Sequence, residues 1–531
     1  MERTEILQTA ANMLNCAERG DFTREQYASM RARLFQIDGA KDIAEELDRY
    51  LLAREKDRLD PFYGDVFPTE GRPPYVERAG NRLTLSPVKL ARTVAARSHI
   101  VNLEGDDGSF VRYYYRDGAY APCSDERLKE RIKNEISSFD EAFCKMSVIN
   151  ETFALICSTA PAGKVTDLDA DENVVNFQNC LLRLDTMEAL PHSPAVLSTV
   201  RLHADWFASP PETPVFDAFI SKLCGGDKAK KKLLMQFMGL CLTNVPGYRT
   251  KKALLMVGRG NTGKSVAKGM VERILGADNC AAVDLNDLEE DKFAASQLVG
   301  KRLAGTSDMR TTHIKELACF KRLTGGDRLY AQYKGKNPFS FQYRGLLWFC
   351  MNELPRFSGD RGDWVYDRML LFPCDNEVDV SSRDPQLPEK LYAERDGIAC
   401  RLVSAAAEVV KQHYRFSVPP ELELRLMQYS LRNDPIKQFF TECCVIRKSP
   451  EIPPLDECTC KKIFEAFRLW CRDNNCGFVP KKSDFKNTVA SLLCRTPEEL
   501  IIKTKKNQYY VFELNEETMD ELRGTLFIKK V

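Results

Sequence analysis

Between Leu254 and Met270 the chain reads LLMVGRGNTGKSVAKGM: an apolar run, a glycine-rich turn, then a helical pattern that starts at Lys-Ser. Gly258, Arg259, Gly260, Asn261, Thr262, Gly263, Lys264 and Ser265 satisfy the spacing G-x-x-x-x-G-K-S in full. No other stretch constrains the fold as tightly, because each letter has a physical reason. Glycines let backbone N–H groups curl around an anion. The helix that follows points its N-terminus at the same charge. Lys264 would reach β- and γ-phosphates, and the Ser265 hydroxyl would ligate Mg²⁺. The run predicts a strand–loop–helix unit that holds a nucleoside triphosphate, expected to be ATP, through residues 258–265.

The 531-residue chain is long enough for about three or four domains. Hydrophobic residues make up 44% and charged residues 29%, which suits globular domains with cores of their own. Formal net charge is +1, so any contact with nucleic acid must come from local basic patches. No apolar run approaches the ~18–20 residues of a membrane span, and the charged N-terminus has no secretory h-region. The expectation is a cytoplasmic protein without a membrane partner, its 19 scattered cysteines held as thiols.

Residues 1–60 show helical spacing and carry 13 acidic and 10 basic residues. They read as an amphipathic helical appendage, or as a docking or oligomerisation hairpin. Residues 61–81 are rich in Pro and Gly and read as a linker. Residues 82–210 are mixed: SFVRYYYRDGAYAPC turns at Asp-Gly as a hairpin would, SDERLKERIKNEISSF reads as a capped helix, and His192 and His203 read as structural. Apolar runs and helical patterns then alternate as in an α/β core, with ALLMV, RLAGTS and GLLWFCM as strands.

A phosphate loop needs an acid for its metal and a polar residue to place water. KRLAGTSD ends in Asp308, although Gly305, Thr306 and Ser307 make a poor apolar strand. GLLWFCM leads directly into Asn352, suited to sense a γ-phosphate. RLYAQYKGKNPFSFQYRG places Lys334 and Lys336 at the turn of a basic hairpin, suited to a nucleic-acid backbone. In DWVYDRMLLFP, Arg368 precedes an apolar strand, where it could serve a neighbouring subunit's phosphate or be a plain strand-edge cation.

Together these segments resemble the phage and plasmid primase–helicase family, superfamily 3 helicases related to the poxvirus primase–helicase. The resemblance spans about 85 to 515. LVGKRLAGTSDMR resembles the Walker-B region, KRLTGGD the B′ motif, LLWFCMNELP motif C and YDRMLLFP the arginine-finger segment. It implies an α/β P-loop NTPase core of AAA+-like type over 211–380, preceded by a family-specific mixed α/β domain over 82–210. A helical connector (381–430), a winged-helix-like DNA-binding domain (431–515) and a tail (516–531) would follow. It further implies catalytic roles for Lys264, Asp308, Asn352 and Arg368, with Ser265 and Asp308 on Mg²⁺. The family usually has Glu where Asp308 stands, and relatives often carry a second arginine where Asp367 stands. Residues 1–80 are too short and too helical for a primase, so the helicase half is expected, with any primase in a separate chain.

The C-terminal unit adds Lys481, Lys482, Lys486, Lys503, Lys505 and Lys506, placed on a helix and a β-wing as a DNA-binding surface. Cys443, Cys444, Cys458, Cys460, Cys471 and Cys476 lack zinc spacing apart from Cys471-x₄-Cys476. The expected function is an ATP-dependent DNA helicase or translocase. It would be a homo-oligomer, expected as a hexamer, on single-stranded and also duplex DNA. The setting would be replication of a phage or other mobile element, in a bacterial host cytoplasm. The alternatives are a DNA-binding nucleotide switch or loader with weak hydrolysis, and a P-loop ATPase for another DNA transaction.

Overall fold

The computed structural model describes residues 73–520 except 80–81, 106–107, 292, 310–312, 315–316, 336, 358–362, 448–457, 475, 477–478 and 505. The expected N-terminal helices and the first part of the expected linker lie outside the described residues.

The first described region is built on helices α1 (Pro87–Arg97), α2 (Asp125–Phe139) and α3 (Met146–Cys157) and strands β1 (Val101–Glu104), β2 (Phe110–Arg116) and β3 (Ala119–Pro122). The hairpin turns at Asp117-Gly118, both with positive φ. Ser124 caps α2 by accepting from the Arg127 N–H, and Leu128, Ile132 and Ile136 turn one face of that helix into the core. The expected linker needs correction from residue 73 onward. Tyr75 is fully buried in this core, its hydroxyl donates to the Glu135 carbonyl at 2.9 Å, and Val76–Ala79 pairs with Arg82–Leu85. Proline and glycine density marked the approach to a hairpin there, which an aromatic anchors.

Next come α4 (Pro214–Leu223), α5 (Lys228–Cys241), β4 (Ala253–Val257), α6 (Lys264–Leu275), β5 (Cys280–Ala281), β6 (Leu303–Ala304) and α7 (Ala318–Gly325). Strands β7 (Arg328–Ala331), β8 (Phe339–Gln342), β9 (Leu346–Met351) and β10 (Met369–Pro373) and helix α8 (Arg395–Lys411) follow. Five of these strands form one parallel sheet in the order β5-β6-β9-β4-β10. All six residues of β9 are buried. Such continuous apolar strands are what a parallel sheet covered on both faces requires. Leu254, Met256, Trp348 and Phe372 join the core shared with α5, α6 and α8, whereas Leu255, Leu347 and Phe349 join the core that holds Phe320 and Leu323 of α7. Helices α5 and α8 cross at Gly239, where a Cβ would lie 1.9 Å from the Leu402 carbonyl oxygen. The whole is a mixed α/β fold with a parallel sheet between helices.

Toward the C-terminus, α9 (Pro435–Cys443), β11 (Cys444–Ile446), α10 (Cys460–Asp473), α11 (Lys482–Leu492), β12 (Ile501–Lys503), β13 (Gln508–Tyr510) and β14 (Phe512–Leu514) enclose a separate core. Phe439, Phe467, Phe485, Tyr510 and Phe512 fill it. Met519, expected in a tail, belongs to this core as well: its sulfur accepts from Cys458 at 3.7 Å. Cys443, Cys458, Cys460 and Cys471 are apolar filling there, and burial pushes the Cys460 thiol up to about 11. Among the described residues no group of three His, Cys, Asp or Glu is placed to hold a metal.

Candidate nucleotide and nucleic-acid sites

The glycine-rich run leaves the carboxyl end of β4 and enters α6. Its backbone explains its spelling. Gly258 packs so closely that a Cβ would lie 2.2 Å from the Cys374 carbonyl oxygen. Gly263 takes φ +94 at the mouth of α6, and Asn261 takes φ +62, a conformation asparagine tolerates better than most residues. Gly260 has nothing within 4 Å of its would-be Cβ, so the loop's crest is open. The Lys264 ammonium lies inside the loop, 7% exposed, donating to the carbonyls of Gly258 at 2.6 Å and Arg259 at 2.7 Å and to the Thr262 hydroxyl at 3.2 Å. Arg259 and Ser265 are exposed.

Neighbouring strands deliver the next residues to the same edge. The Gly258 N–H donates to the Met351 carbonyl, immediately before exposed Asn352. The Ser265 hydroxyl donates to the Ser307 carbonyl at 3.3 Å, immediately before exposed Asp308. Met309 bridges in parallel to Met351. The loop, Asp308 and Asn352 therefore meet at the carboxyl edge of the sheet, where parallel α/β sheets place their ligands. The strand before Asp308 is shorter than RLAGTS suggests: β6 is only Leu303–Ala304. Gly305 ends it because the chain passes too near β9 for a side chain, a Cβ there falling 2.0 Å from the Trp348 carbonyl oxygen. Beneath the loop Cys350 is buried, its thiol pushed up to about 12 by desolvation, so it stays neutral.

Arg368 lies elsewhere. It immediately precedes β10, and its carbonyl accepts from Ala253 at the start of β4, which places it on the amino edge of the sheet. Its guanidinium donates to the Thr324 hydroxyl at 2.9 Å and the Lys321 carbonyl at 3.3 Å, and sits 5.7 Å from the Trp364 ring. The KRLTGGD run is thereby explained: Thr324 receives the arginine, Gly325 leaves it room, and Gly326 takes φ +79 against Tyr248. Asp327 is on this edge too, its carboxylate 3.5 Å from the point where a Gly325 Cβ would stand.

Strands β7 and β8 form an antiparallel hairpin in register Arg328↔Gln342 to Ala331↔Phe339. Lys334 is exposed at its turn, and Lys336 lies outside the described residues. The aromatics that flank the lysines reach the surface as well: Tyr330 is 63% and Tyr333 42% exposed, and Tyr333 stacks on Phe339 at 5.2 Å. In the C-terminal region Lys481, Lys482, Lys503 and Lys506 are exposed around α11 and the β12–β13 hairpin, and Lys505 lies outside the described residues. Lys486 does not share their setting, because it is less exposed and lies 3.7 Å from Glu498.

One polar anchor escaped sequence reasoning altogether. Arg302, just before β6, is 6% exposed and 3.6 Å from Asp169, itself 9% exposed. Its guanidinium also donates to Asn244 at 2.8 Å, and the Asp169 carboxylate accepts from the Thr199 N–H at 2.9 Å. Burial pulls the Arg302 guanidinium below its ordinary range, with Asp169 opposing. A lone arginine at the foot of an apolar strand was the only available signal.

Comparison with known proteins supports the resemblance to the phage and viral primase–helicase family. Residues 89–225 match the family described as D5 N terminal like, and residues 256–368 match a family of unknown function, DUF5906. "Putative helicase 022R" of Frog virus 3 (isolate Goorha) is 26% identical over 258 residues, covering 44% of this chain and 26% of that protein. "Putative helicase L207/L206" of Acanthamoeba polyphaga mimivirus is 21% identical over 354 residues, covering 61% of this chain and 35% of that protein. The chain thus spans about a quarter to a third of the length of these relatives. Among solved structures, the apo A form of the NrS-1 C-terminal region aligns with a TM-score of 0.46 at 11% identity, covering 80% of this chain and 99% of that one. Among the described residues no helix is long and apolar enough to cross a membrane.

Proposed function

We propose that this protein is an ATP-dependent DNA helicase or translocase that acts in replication of a phage, virus or other mobile element, and that Gly258–Ser265 is its P-loop. The single observation that carries the reading is the meeting of Lys264, Ser265, Asp308 and Asn352 at one edge of a parallel sheet, around an open glycine loop. The donor set fits a magnesium nucleotide: an ammonium and a helix N-terminus for phosphate oxygens, a hydroxyl and a carboxylate for the metal. Bound Mg²⁺ would neutralise phosphate charge during transfer.

On this reading Lys264 leaves its loop carbonyls for the β- and γ-phosphates, and the N–H groups of 260–265 hold the phosphate oxygens. Ser265 and Asp308 would hold the metal, and Asp308 with Asn352 would orient the attacking water toward the γ-phosphorus. The water oxygen would bond to the γ-phosphorus as the P–O bond to the leaving nucleoside diphosphate breaks, and the water's proton would pass to an oxygen of the released phosphate. Arg368, on the opposite edge, serves the loop of an adjacent protomer, which makes a ring, expected as a hexamer, the active form. Lys334, Tyr330 and Tyr333 on the hairpin would grip single-stranded DNA by charge and stacking. The C-terminal region would act as a winged helix on duplex DNA through Lys481, Lys482, Lys503 and Lys506.

A strand-displacement assay with a forked duplex tests the proposal. ATP-dependent unwinding that disappears in Lys264→Ala is expected. Wild-type protein that hydrolyses ATP without displacing a strand would favour the switch or loader instead.

A further inference from the structure

We propose that Arg116, Arg127 and Arg131 form a second phosphate-binding site, on the first described region, and that its ligand is the phosphodiester backbone of single-stranded DNA. The inference rests on the reading that the protein works on DNA, and it adds a contact point far in sequence from both the hairpin and the C-terminal lysines.

The site is built on Tyr114 in β2, which is 1% exposed. Its hydroxyl accepts from the Arg127 guanidinium at 2.5 Å and is also hydrogen-bonded by Arg116. The Arg131 guanidinium lies 4.1 Å over the Tyr114 ring, and Arg127 lies 5.8 Å from it. Ser98, 8% exposed, accepts a further hydrogen bond from Arg131 at 3.0 Å. Neutral oxygens and one ring thus hold the Arg127 and Arg131 guanidinium groups together, with Arg116 beside them between Tyr114 and Asp117. Burial pushes the Tyr114 phenol up, yet the hydrogen bonds from Arg127, Arg116 and Arg131 outweigh it and bring the phenol below the usual tyrosine range.

Two of the nearby carboxylates are committed elsewhere: Asp125 pairs with Arg112, and Glu135 with Arg97 at 2.7 Å. Asp117 pairs with Arg116 at 2.8 Å and offsets that one charge of the three. Among the described residues, neither Arg127 nor Arg131 has a carboxylate within ion-pair distance. The two lie at i and i+4 of α2, a spacing at which like charges repel. An anion placed between them removes that repulsion, and guanidinium forks match phosphate oxygens. Rigidity is supplied from below by Leu128 and Ile132, both 0% exposed. Arg116 and Arg127 are exposed, so the forks are open to a ligand from solvent. A surface-open cluster with no enclosing apolar walls suits a backbone diester better than a free nucleotide, whose base would need a pocket.

The experiment uses the full chain and a fluorescein-labelled oligothymidylate of about thirty nucleotides, with Kd measured from about 50 to 300 mM salt. Expected for Arg127→Gln/Arg131→Gln is a roughly tenfold weaker Kd at low salt and a salt slope shallower by about 0.7 to 1.4, one or two phosphate contacts. Arg116→Gln, at an exposed position, should shift both in the same direction, and it keeps the test available should the double variant unfold. Unchanged Kd and slope in a folded variant would overturn the site, even if Lys334→Ala weakens binding and so upholds the DNA reading. Absence of oligonucleotide binding by the wild type would overturn both. If inorganic phosphate raises the wild type's melting temperature but not the variant's, while oligonucleotide affinity is equal, the site serves a free phosphate compound and the DNA assignment is overturned.

Discussion

The Arg368 guanidinium donates to the Thr324 hydroxyl at 2.9 Å, tying the foot of β10 to the last turn of α7. The pair lies at the amino edge of a sheet whose carboxyl edge carries the glycine loop. Five-residue β4 alone separates those edges by roughly 15 Å. Arg368 therefore does not face its own glycine loop, and its bond to Thr324 fixes the guanidinium at the opposite edge. Subunit mixing reads the consequence. Lys264→Ala and Arg368→Ala should each lack activity, and mixtures should recover part of it, because some interfaces then pair an intact loop with an intact arginine. Arginine fingers contribute on the order of 10³–10⁵ in rate, so recovery should stand clear of background. No recovery in confirmed mixed assemblies would assign Arg368 a structural role through Thr324.

Asp308→Asn should bind ATP near normally and hydrolyse it at least ~100-fold more slowly, since a carboxamide is a poor metal ligand and holds no negative charge near the water. Nucleotide affinity and single-turnover rate, measured together, separate the two effects. Asp327 cannot replace it, being placed near Arg368 at the other edge. Full turnover in Asp308→Asn would point to a different acid at the loop.

Gly305→Ala should harm both fold and site. A methyl group would meet the Trp348 carbonyl oxygen at 2.0 Å, and φ is +129. Overpacking of this kind costs about 1–3 kcal/mol, and the end of β6 would move together with Asp308. A lower melting temperature accompanied by loss of hydrolysis is expected. A stable, fully active variant would mean that β6 and β9 are not so close.

Lys481→Ala/Lys482→Ala should weaken duplex binding and flatten its salt dependence by about 1.8 in slope, while ATP hydrolysis without DNA stays unchanged. Lys486→Ala should change duplex binding far less, because Glu498 already offsets its charge. Equal effects from the two variants would reject this surface.

Much of this was legible in sequence where local chemistry dictates local structure. The glycine loop is bounded by a strand and a helix because its letters permit little else, and the Ser124-capped helix and the Asp-Gly hairpin follow from capping and turn rules. What depended on distant partners was not legible. Gly305 reads as a flaw in a strand until Trp348 is placed against it, and the expected linker hides Tyr75 because its burial depends on Glu135, sixty residues away. Arg302 and Asp169 are 133 residues apart, and no periodicity announces a pair buried between two regions. The gathering of Asp308 and Asn352 beside the loop likewise needed the strand order, which residue spacing alone does not supply.

Steady-state ATP hydrolysis by the assembled protein, with and without single-stranded DNA and alongside Lys264→Ala, is the most direct measurement. The prediction is hydrolysis that rises several-fold with DNA and falls to background in the lysine variant, because Lys264 is the main point charge for the transferred phosphate. Hydrolysis that is indifferent to DNA, or that persists in Lys264→Ala, would contradict a DNA motor driven from this loop.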